Sequence, residues 1–240
     1  CGPGLQQFRN KAFGGNKADY IEKVNAIPGV GGVRVYRAWN SDIAPSTLIP
    51  PEQVEQWLNG LKNVPPNVEL WLQTVFHAGK NSLLTVGGTV KVVIIDSTFS
   101  APSETLVDQV QTVLDPIQNA GEGDGLAPIG HVVKVFPVGT TTVDLSFAMY
   151  FQRGWGWEDV RPNAEQAIQE YFTELAHGWA DSDEPLIVRV SRVESRLLNV
   201  PGILDVAATK LNGKAENLIL PMDTIPIVGT VTATAATIAG

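Results

Sequence analysis

Two stretches of the chain carry apolar residues at helical spacing on one side and polar residues on the other. These are residues 106–117 and 160–175. Ser100 fits a cap for the first helix, and Pro162 is expected in the first turn of the second, where amide donors have no partner. Each stripe therefore predicts a helix that packs one face onto a sheet.

Four stretches favour β-strands. Apolar and polar residues alternate from 142 to 151, which predicts a strand with one buried face. The stretch 90–95 is apolar on both faces apart from Lys91, which indicates a central strand. Residues 33–39 and 132–138 are further strand candidates.

A weak internal repeat links two distant parts of the chain. Pro28-Gly29 and Pro201-Gly202 each follow an apolar stripe of helical spacing and precede an apolar strand pattern. Pro-Gly is common at the ends of helices. The two copies could therefore come from an internal duplication or from coincidence.

The second copy of this repeat carries two further signals. Ser191 with Glu194 three residues later is typical of a capping box. Asn212-Gly213 predicts a tight hairpin turn that joins strands over 205–211 and 217–220.

The matching gap in the first copy, from Asn40 to Gly88, is far longer. It carries a predicted helix over 51–61 and an apolar run over 68–76 that we interpret as a strand. The predicted fold class is α+β, with two small units that each pack helices on one face of a mixed β-sheet, and a strand-like C-terminal tail. The predicted organisation is a lead-in over 1–13, a first domain over 14–139 with an inserted module at about 41–87, a second domain over 140–222, and a tail over 223–240.

Charge and composition exclude several classes of protein. The 17 basic and 25 acidic residues give a net charge of −8, which is the wrong sign for nucleic-acid binding. No apolar run reaches the roughly 18–20 residues of a membrane helix, so we expect no membrane insertion. Cys1 is the only cysteine, which excludes an internal disulfide framework.

No group of residues predicts catalysis, a cofactor or a metal site. The three histidines, His77, His131 and His177, are isolated in sequence. The glycine-rich stretch 121–125 follows a helix and precedes a strand, whereas a phosphate loop has the reverse order, so a flexible connection is the better interpretation. The acidic stretch 181–184 lacks EF-hand spacing and is read as a solvated loop.

Two tryptophans stand in a predicted turn before the second helix. Trp155 and Trp157 alternate with glycines, and such residues suit sugar stacking or a partner contact. The alternative is that one of them covers the start of the helix. The tail over 225–240 carries no charge and predicts a strand that pairs within this chain or with a neighbour, because a bare edge invites aggregation.

In order and spacing, several segments of the chain resemble baseplate J-like proteins, the baseplate wedge components of contractile phage tails and related particles. One of them reads Ile27-Pro28-Gly29-Val30-Gly31-Gly32. The segments are 15–20, 27–35, 39–40, 88–96, 113–118, 121–130, 199–203, 211–213 and 225–231. They cover about three-quarters of the chain, with 40–88 outside. The N-terminal region usual in the family is absent, so a C-terminal fragment is expected.

The resemblance implies a structural protein that is not an enzyme. Copies would associate with each other and with other wedge and hub proteins in a ring around the tail hub, within the virion baseplate after assembly in the host cytoplasm. The ring would take part in the rearrangement that triggers contraction. Interface energy would come from a few aromatic anchors and the tail strand. The predicted partner contacts are Trp57, Trp71, Trp155, Trp157, Ile227 and Val231.

Two other functions remain as alternatives. A carbohydrate- or receptor-binding module at the tail tip would use the same tryptophans. A cell-wall hydrolase would need an acid–base pair, for which the sequence offers no credible candidate.

Overall fold

The computed structural model describes residues 15–37, 49–80 and 88–236. Over these ranges it contains six α-helices and eight β-strands, which confirms the predicted α+β class. In chain order they are α1 (Lys17–Asn25), β1 (Val30–Arg37), α2 (Glu52–Asn59), α3 (Pro66–Lys80), β2 (Thr89–Asp96), α4 (Glu104–Leu114), β3 (Val132–Pro137), β4 (Gly139–Phe151), α5 (Trp157–His177), β5 (Ile187–Val188), α6 (Val190–Leu197), β6 (Ile203–Leu211), β7 (Leu218–Ile219) and β8 (Thr224–Ala235).

The first sheet has the strand order β1-β2-β3, so β2 is central as predicted. Every residue of β2 is buried except Asp96 at its end. Lys91 is accommodated there because its ammonium lies 5.3 Å from the ring centroid of Phe136 and 5.8 Å from that of Tyr36. A buried cation in a central strand is thus held by two aromatic rings.

The second sheet has the order β6-β4-β8 and is mixed. β4 pairs antiparallel with β6 and parallel with β8. The alternation predicted along β4 is confirmed, since Val143, Leu145, Phe147 and Met149 are all buried. These side chains share one hydrophobic core with α5, α6 and β6. Both helices therefore cover the same face of the sheet.

The described residues divide into two compact units. The first contains Val107–Phe136, the helices α1 to α3 and the start of β2; the second contains Pro28–Arg34, Val93–Leu106 and the chain from Pro137 onwards. The boundaries predicted from the sequence, 14–139 and 140–222, stay predictions. The lead-in over 1–13 and the strand end at Trp39 lie outside the described residues.

The strand predicted over 68–76 is wrong, because this stretch lies within helix α3. Pro66 lies at the first helical position of α3. Proline is favoured there because its missing amide would have no partner and its φ is already helical. The fifteen residues of α3 also exceed the usual length of a strand.

The starts of three helices differ from their predictions. α4 begins at Glu104, and the hydroxyl of Ser103, not Ser100, accepts from the amide of Leu106 at 3.3 Å. α5 begins at Trp157, so Pro162 lies beyond the first turn and removes one internal hydrogen bond.

The third helix, α6, begins at Val190, so Ser191 lies inside it and does not cap it. Its first amides are instead bonded by distant side chains. The amide of Val190 donates to Asn217 Oδ1 at 3.0 Å, and the amide of Arg189 donates to the hydroxyl of Tyr171 at 3.1 Å.

Both copies of the helix–Pro-Gly–strand repeat form in the structure. Gly29 follows α1 and Gly202 follows α6, and each has φ of +93°, a conformation that side chains rarely adopt. The Asn212-Gly213 turn also forms, with positive φ at both residues, but the following strand β7 pairs with β5 and not with β6. Duplication itself stays a hypothesis.

The tail was predicted to pair either within this chain or with a neighbour. Strand β8 pairs with β4 over most of its length, so the structure shows the first of these two pairings. β8 is an edge strand of the three-stranded sheet. Within the described ranges, no helix is long and apolar enough to cross a membrane.

Candidate functional site

Helices α2 and α3 present two large aromatic side chains to solvent. Trp57 is 58% exposed and Trp71 is 62% exposed. Leu70 and Val68, which are near Trp71 in the sequence of α3, are also exposed, while Leu58 and Phe76 are buried. Tryptophans of this exposure are rare on surfaces that face only water and common at interfaces. Their predicted partner contacts stay predictions, supported by this exposure.

The two tryptophans before α5 have different surroundings. Trp157 is half-buried and packs against the core, so it covers the start of the helix. Trp155 is 43% exposed, and its indole lies against Gly202 and would meet any side chain placed there. The helix start itself is fixed by Asp159, whose carboxylate accepts from the amide of Gly156 at 2.8 Å. Trp155 is therefore the better placed of the two for an external contact.

The two tail residues predicted to contact partners also differ. Ile227 is 39% exposed on β8. Val231 is 7% exposed and belongs to the core formed by β4, α5 and β6. In this conformation its side chain contacts the chain's own core and offers no surface to a partner.

Each histidine lies beside an aromatic ring. His177 lies 4.2 Å from Phe99 and His77 lies 5.4 Å from Phe76, measured between ring centroids. Nδ1 of His131 is 2.8 Å from the hydroxyl of Tyr20. Within the described ranges, no group of three histidine, cysteine or acidic residues could hold a metal ion.

The glycine-rich stretch 121–125 is fixed by a buried carboxylate that sequence analysis missed. Asp115 is 1% exposed and accepts from the amides of Gly121 at 2.9 Å and Val133 at 2.8 Å. Gln111 is also buried and bonds both the carbonyl of Val133 and the amide of Val135. These bonds join α4 to β3, so the carboxylate and amide serve the fold. In the sequence both residues lie on the polar side of the helix predicted over 106–117, so no local signal indicated that they are buried.

Sequence analysis also missed a cleft of about 330 Å³ between α5 and α6. Arg189, Arg192 and Arg196 line one side of it, and Tyr171 and Leu175 of α5 line another. The three arginines recur at spacings of three and four residues, which places them along one side of a helix. That spacing was visible in the sequence and indicates a basic stripe in an otherwise acidic chain.

Two family models match the chain. The baseplate J-like central domain matches residues 70–137, and the baseplate J-like protein C-terminal domain matches residues 143–234. Together they cover more than half of the chain, so this chain belongs to the baseplate J-like family. The resemblance that the sequence motifs indicated is thereby confirmed. The central-domain match begins at residue 70 and so includes the end of the segment interpreted as inserted.

Two relatives from Bacillus subtilis strain 168 align with almost the whole chain. The uncharacterized protein YqbT is 26% identical over 225 residues, and the phage-like element PBSX protein XkdT is 24% identical over 225 residues. Each alignment covers 94% of this chain and 49% of the relative. The chain thus spans about half the length of these relatives. A chain of the anti-feeding prophage baseplate, solved by cryo-electron microscopy, aligns with a TM-score of 0.42 and 11% identity over 89% of this chain and 37% of its own length.

Proposed function

We propose that this chain is a structural component of a phage-type tail baseplate. The observation that carries the proposal is the succession of two baseplate J-like domains along one chain, over residues 70–137 and 143–234. The phage-element name of one relative agrees with it. The chain would assemble with copies of itself and with other wedge and hub proteins around the tail hub, and would take part in the rearrangement that triggers contraction.

The proposed role needs surfaces for neighbours and no catalytic centre. The exposed indoles of Trp57, Trp71 and Trp155 supply candidate anchors, because a few large aromatic residues carry most of the binding energy of an interface. Each of the three histidines lies beside an aromatic ring. The match to two baseplate J-like domains supports a non-enzymatic role.

The location is tested in purified particles from a bacterium that encodes this chain. The chain carries a small tag, and labelled particles are imaged by electron microscopy. We expect the label in the baseplate ring of every complete particle. A chain that is absent from purified particles, or found only on the tube, sheath or fibres, contradicts the proposal.

The exposed tryptophans are tested separately by complementation of a strain that lacks the chain. Trp57→Ala combined with Trp71→Ala removes two exposed side chains and should leave the fold intact. Truncation of an interface anchor costs about 2 kcal/mol or more, so we expect a clear fall in complete baseplates. Glu69→Ala, an exposed change on α3, is the matched control and should assemble normally. Equal assembly of both variants removes these tryptophans from the interface.

A carbohydrate- or receptor-binding module is the second candidate, and the exposure of Trp155 favours it. Exposed indoles stack on sugar rings as well as on protein partners. Titration of the chain with host cell-wall fragments distinguishes the two functions. Binding that Trp155→Ala abolishes supports the glycan function, whereas absence of binding leaves assembly as the role of this residue.

A further inference from the structure

The cleft between α5 and α6 combines an apolar floor with a basic rim. Tyr171 and Leu175 come from α5 and Leu186 from the segment before β5, and the rim carries Arg189, Arg192 and Arg196. Tyr171 is 4% exposed, so the floor belongs to the core of the second unit. The cleft thus offers contact to an apolar group and, beside it, to negative charges.

The backbone of the rim is fixed by hydrogen bonds in the absence of a ligand. The hydroxyl of Tyr171 accepts from the amide of Arg189, and the side chain of Asn217 accepts from the amide of Val190. Both bonds fix the start of α6 against neighbouring elements. The backbone that carries the arginines is therefore ordered before binding, and only their side chains lose conformational freedom when a ligand binds.

One arginine of the rim shows which ligand chemistry the cleft accepts. Arg196 pairs with the carboxylate of Glu174, which projects from α5 across the cleft. Arg189 and Arg192 are exposed, and within the described ranges their guanidinium groups have no hydrogen-bond or ion-pair partner. Among the described residues, Arg189 and Arg192 are therefore unpaired cations beside Arg196, which already binds a carboxylate. They form a local basic site for further carboxylates in a chain whose net charge is −8.

The apolar floor decides between kinds of anionic partner. A nucleic acid or an anionic lipid surface meets a protein mainly through phosphate and would leave the apolar side chains of Leu175 and Leu186 without a matching contact. An acidic protein segment can bring carboxylates to the arginines and an apolar side chain to Leu175 and Leu186. Charge complementarity with a mixed apolar surface is the usual basis of specific protein contact.

We propose that the cleft between α5 and α6 is a docking site for an acidic, amphipathic segment of a partner protein. Its carboxylates bind Arg189 and Arg192, and its apolar side chains pack on the floor formed by Tyr171, Leu175 and Leu186. This proposal stands on the geometry of the second unit and is independent of the baseplate role.

The test uses the full chain and a fluorescein-labelled peptide that repeats the sequence Glu-Glu-Leu-Leu. Binding of the peptide to the chain is measured by fluorescence anisotropy. Two comparison peptides replace every glutamate by glutamine or every leucine by glycine. We expect the first peptide to bind and both comparison peptides to bind at least about tenfold more weakly, because one lacks the charges and the other the apolar contact.

Variants of the chain locate the binding. Arg192→Gln should weaken the first peptide about tenfold, and Arg189→Gln should do the same. Arg153→Gln is the matched control, since Arg153 is also exposed in the second unit and lies outside the cleft. The affinity of this control variant for the first peptide should change less than about twofold. Circular dichroism of each variant checks that the fold is retained.

Four results would overturn the proposal. The first peptide fails to bind at roughly 1 mM, or it binds no better than the glutamine peptide. Arg153→Gln weakens binding as much as Arg192→Gln does, which indicates nonspecific attraction. Single-stranded oligothymidylate or phosphatidylglycerol vesicles bind the cleft more tightly than the peptide, which assigns it to phosphate and not to an acidic protein segment.

Discussion

The guanidinium of Arg34 lies 4.5 Å from the ring centroid of Trp179, and both side chains are almost completely buried. Arg34 also donates to the carbonyl of Trp179 from Nε at 3.0 Å and from an Nη at 2.6 Å. Further bonds reach the carbonyl of Glu184 at 2.9 Å and Asp223 at 3.4 Å. One arginine of β1 thus joins the segment after α5 to the turn before β8, all within the second unit.

Arg34→Met should destabilise the chain by about 3 kcal/mol. Methionine keeps most of the volume but leaves buried carbonyls without donors and Asp223 without its cation, and each of these losses is costly when buried. Arg161→Met is the control, because Arg161 is exposed and its ion pair is with Glu165 on the same helix. Urea denaturation of both variants measures the difference, and equal midpoints for the two would contradict the structural role of Arg34.

Gly202→Ala should cost about 3 kcal/mol, and Gly213→Ala only about 1 kcal/mol. Both residues have positive φ, so both substitutions carry backbone strain of about 1 kcal/mol. A Cβ at Gly202 would also meet the ring of Trp155 and a methyl group of Val160, whereas Gly213 has open space around it. Thermal unfolding with tryptophan fluorescence measures both variants, and equal losses would show that Trp155 does not pack there.

Phe147→Asp should unfold the second unit. Phe147 is 3% exposed in the centre of β4, and a carboxylate at this position would be buried without a partner, at a cost of more than about 4 kcal/mol. Thr140→Asp places the same group at an exposed position of the same strand and should be tolerated. Circular dichroism distinguishes them, and normal melting of Phe147→Asp would refute the packing of β4.

Elements with one buried face were predictable from the sequence. β4 alternates because one face meets α5, and α5 carries a stripe because Val160, Ala164 and Ile168 all point into the same core. In such elements the buried positions recur with the period of the strand or helix, so the apolar residues of the sequence show the same period. The family motifs were equally readable, since Gly29 and Gly202 both serve a conformation with positive φ.

Elements whose apolar residues face solvent were not predictable in this way. Leu70 and Trp71 are both exposed on α3, so its apolar residues surround the helix and hide its period. The start of α6 depends on Asn217, which is distant in sequence and leaves no local signal. The same holds for Arg34, because its partners at 179, 184 and 223 come together only in the folded chain.

Tyr20 of α1 makes a buried polar contact whose charge state can be tested. Its hydroxyl is 2.8 Å from Nδ1 of His131, and the two rings are stacked with centroids 6.1 Å apart. Burial, with a smaller contribution from the negative charge of Asp115, raises the pKa of Tyr20 well above its ordinary value of 10.0. The folded chain therefore holds the phenol neutral at a pH where the unfolded chain ionises it.

Stability should consequently fall at high pH in a way that depends on Tyr20. A raised folded pKa gives stability that is complete below the unfolded pKa and is lost as pH rises toward the folded pKa. Between about pH 9 and 11 the unfolding free energy should drop by about 1.4 kcal/mol more in the native chain than in Tyr20→Phe, which has no proton to lose. At about pH 8 the variant should be less stable by about 1 kcal/mol, because it lacks the bond to His131. Urea denaturation at each pH measures both chains, and parallel pH dependence would show that the phenol ionises as readily in the folded state as in the unfolded one.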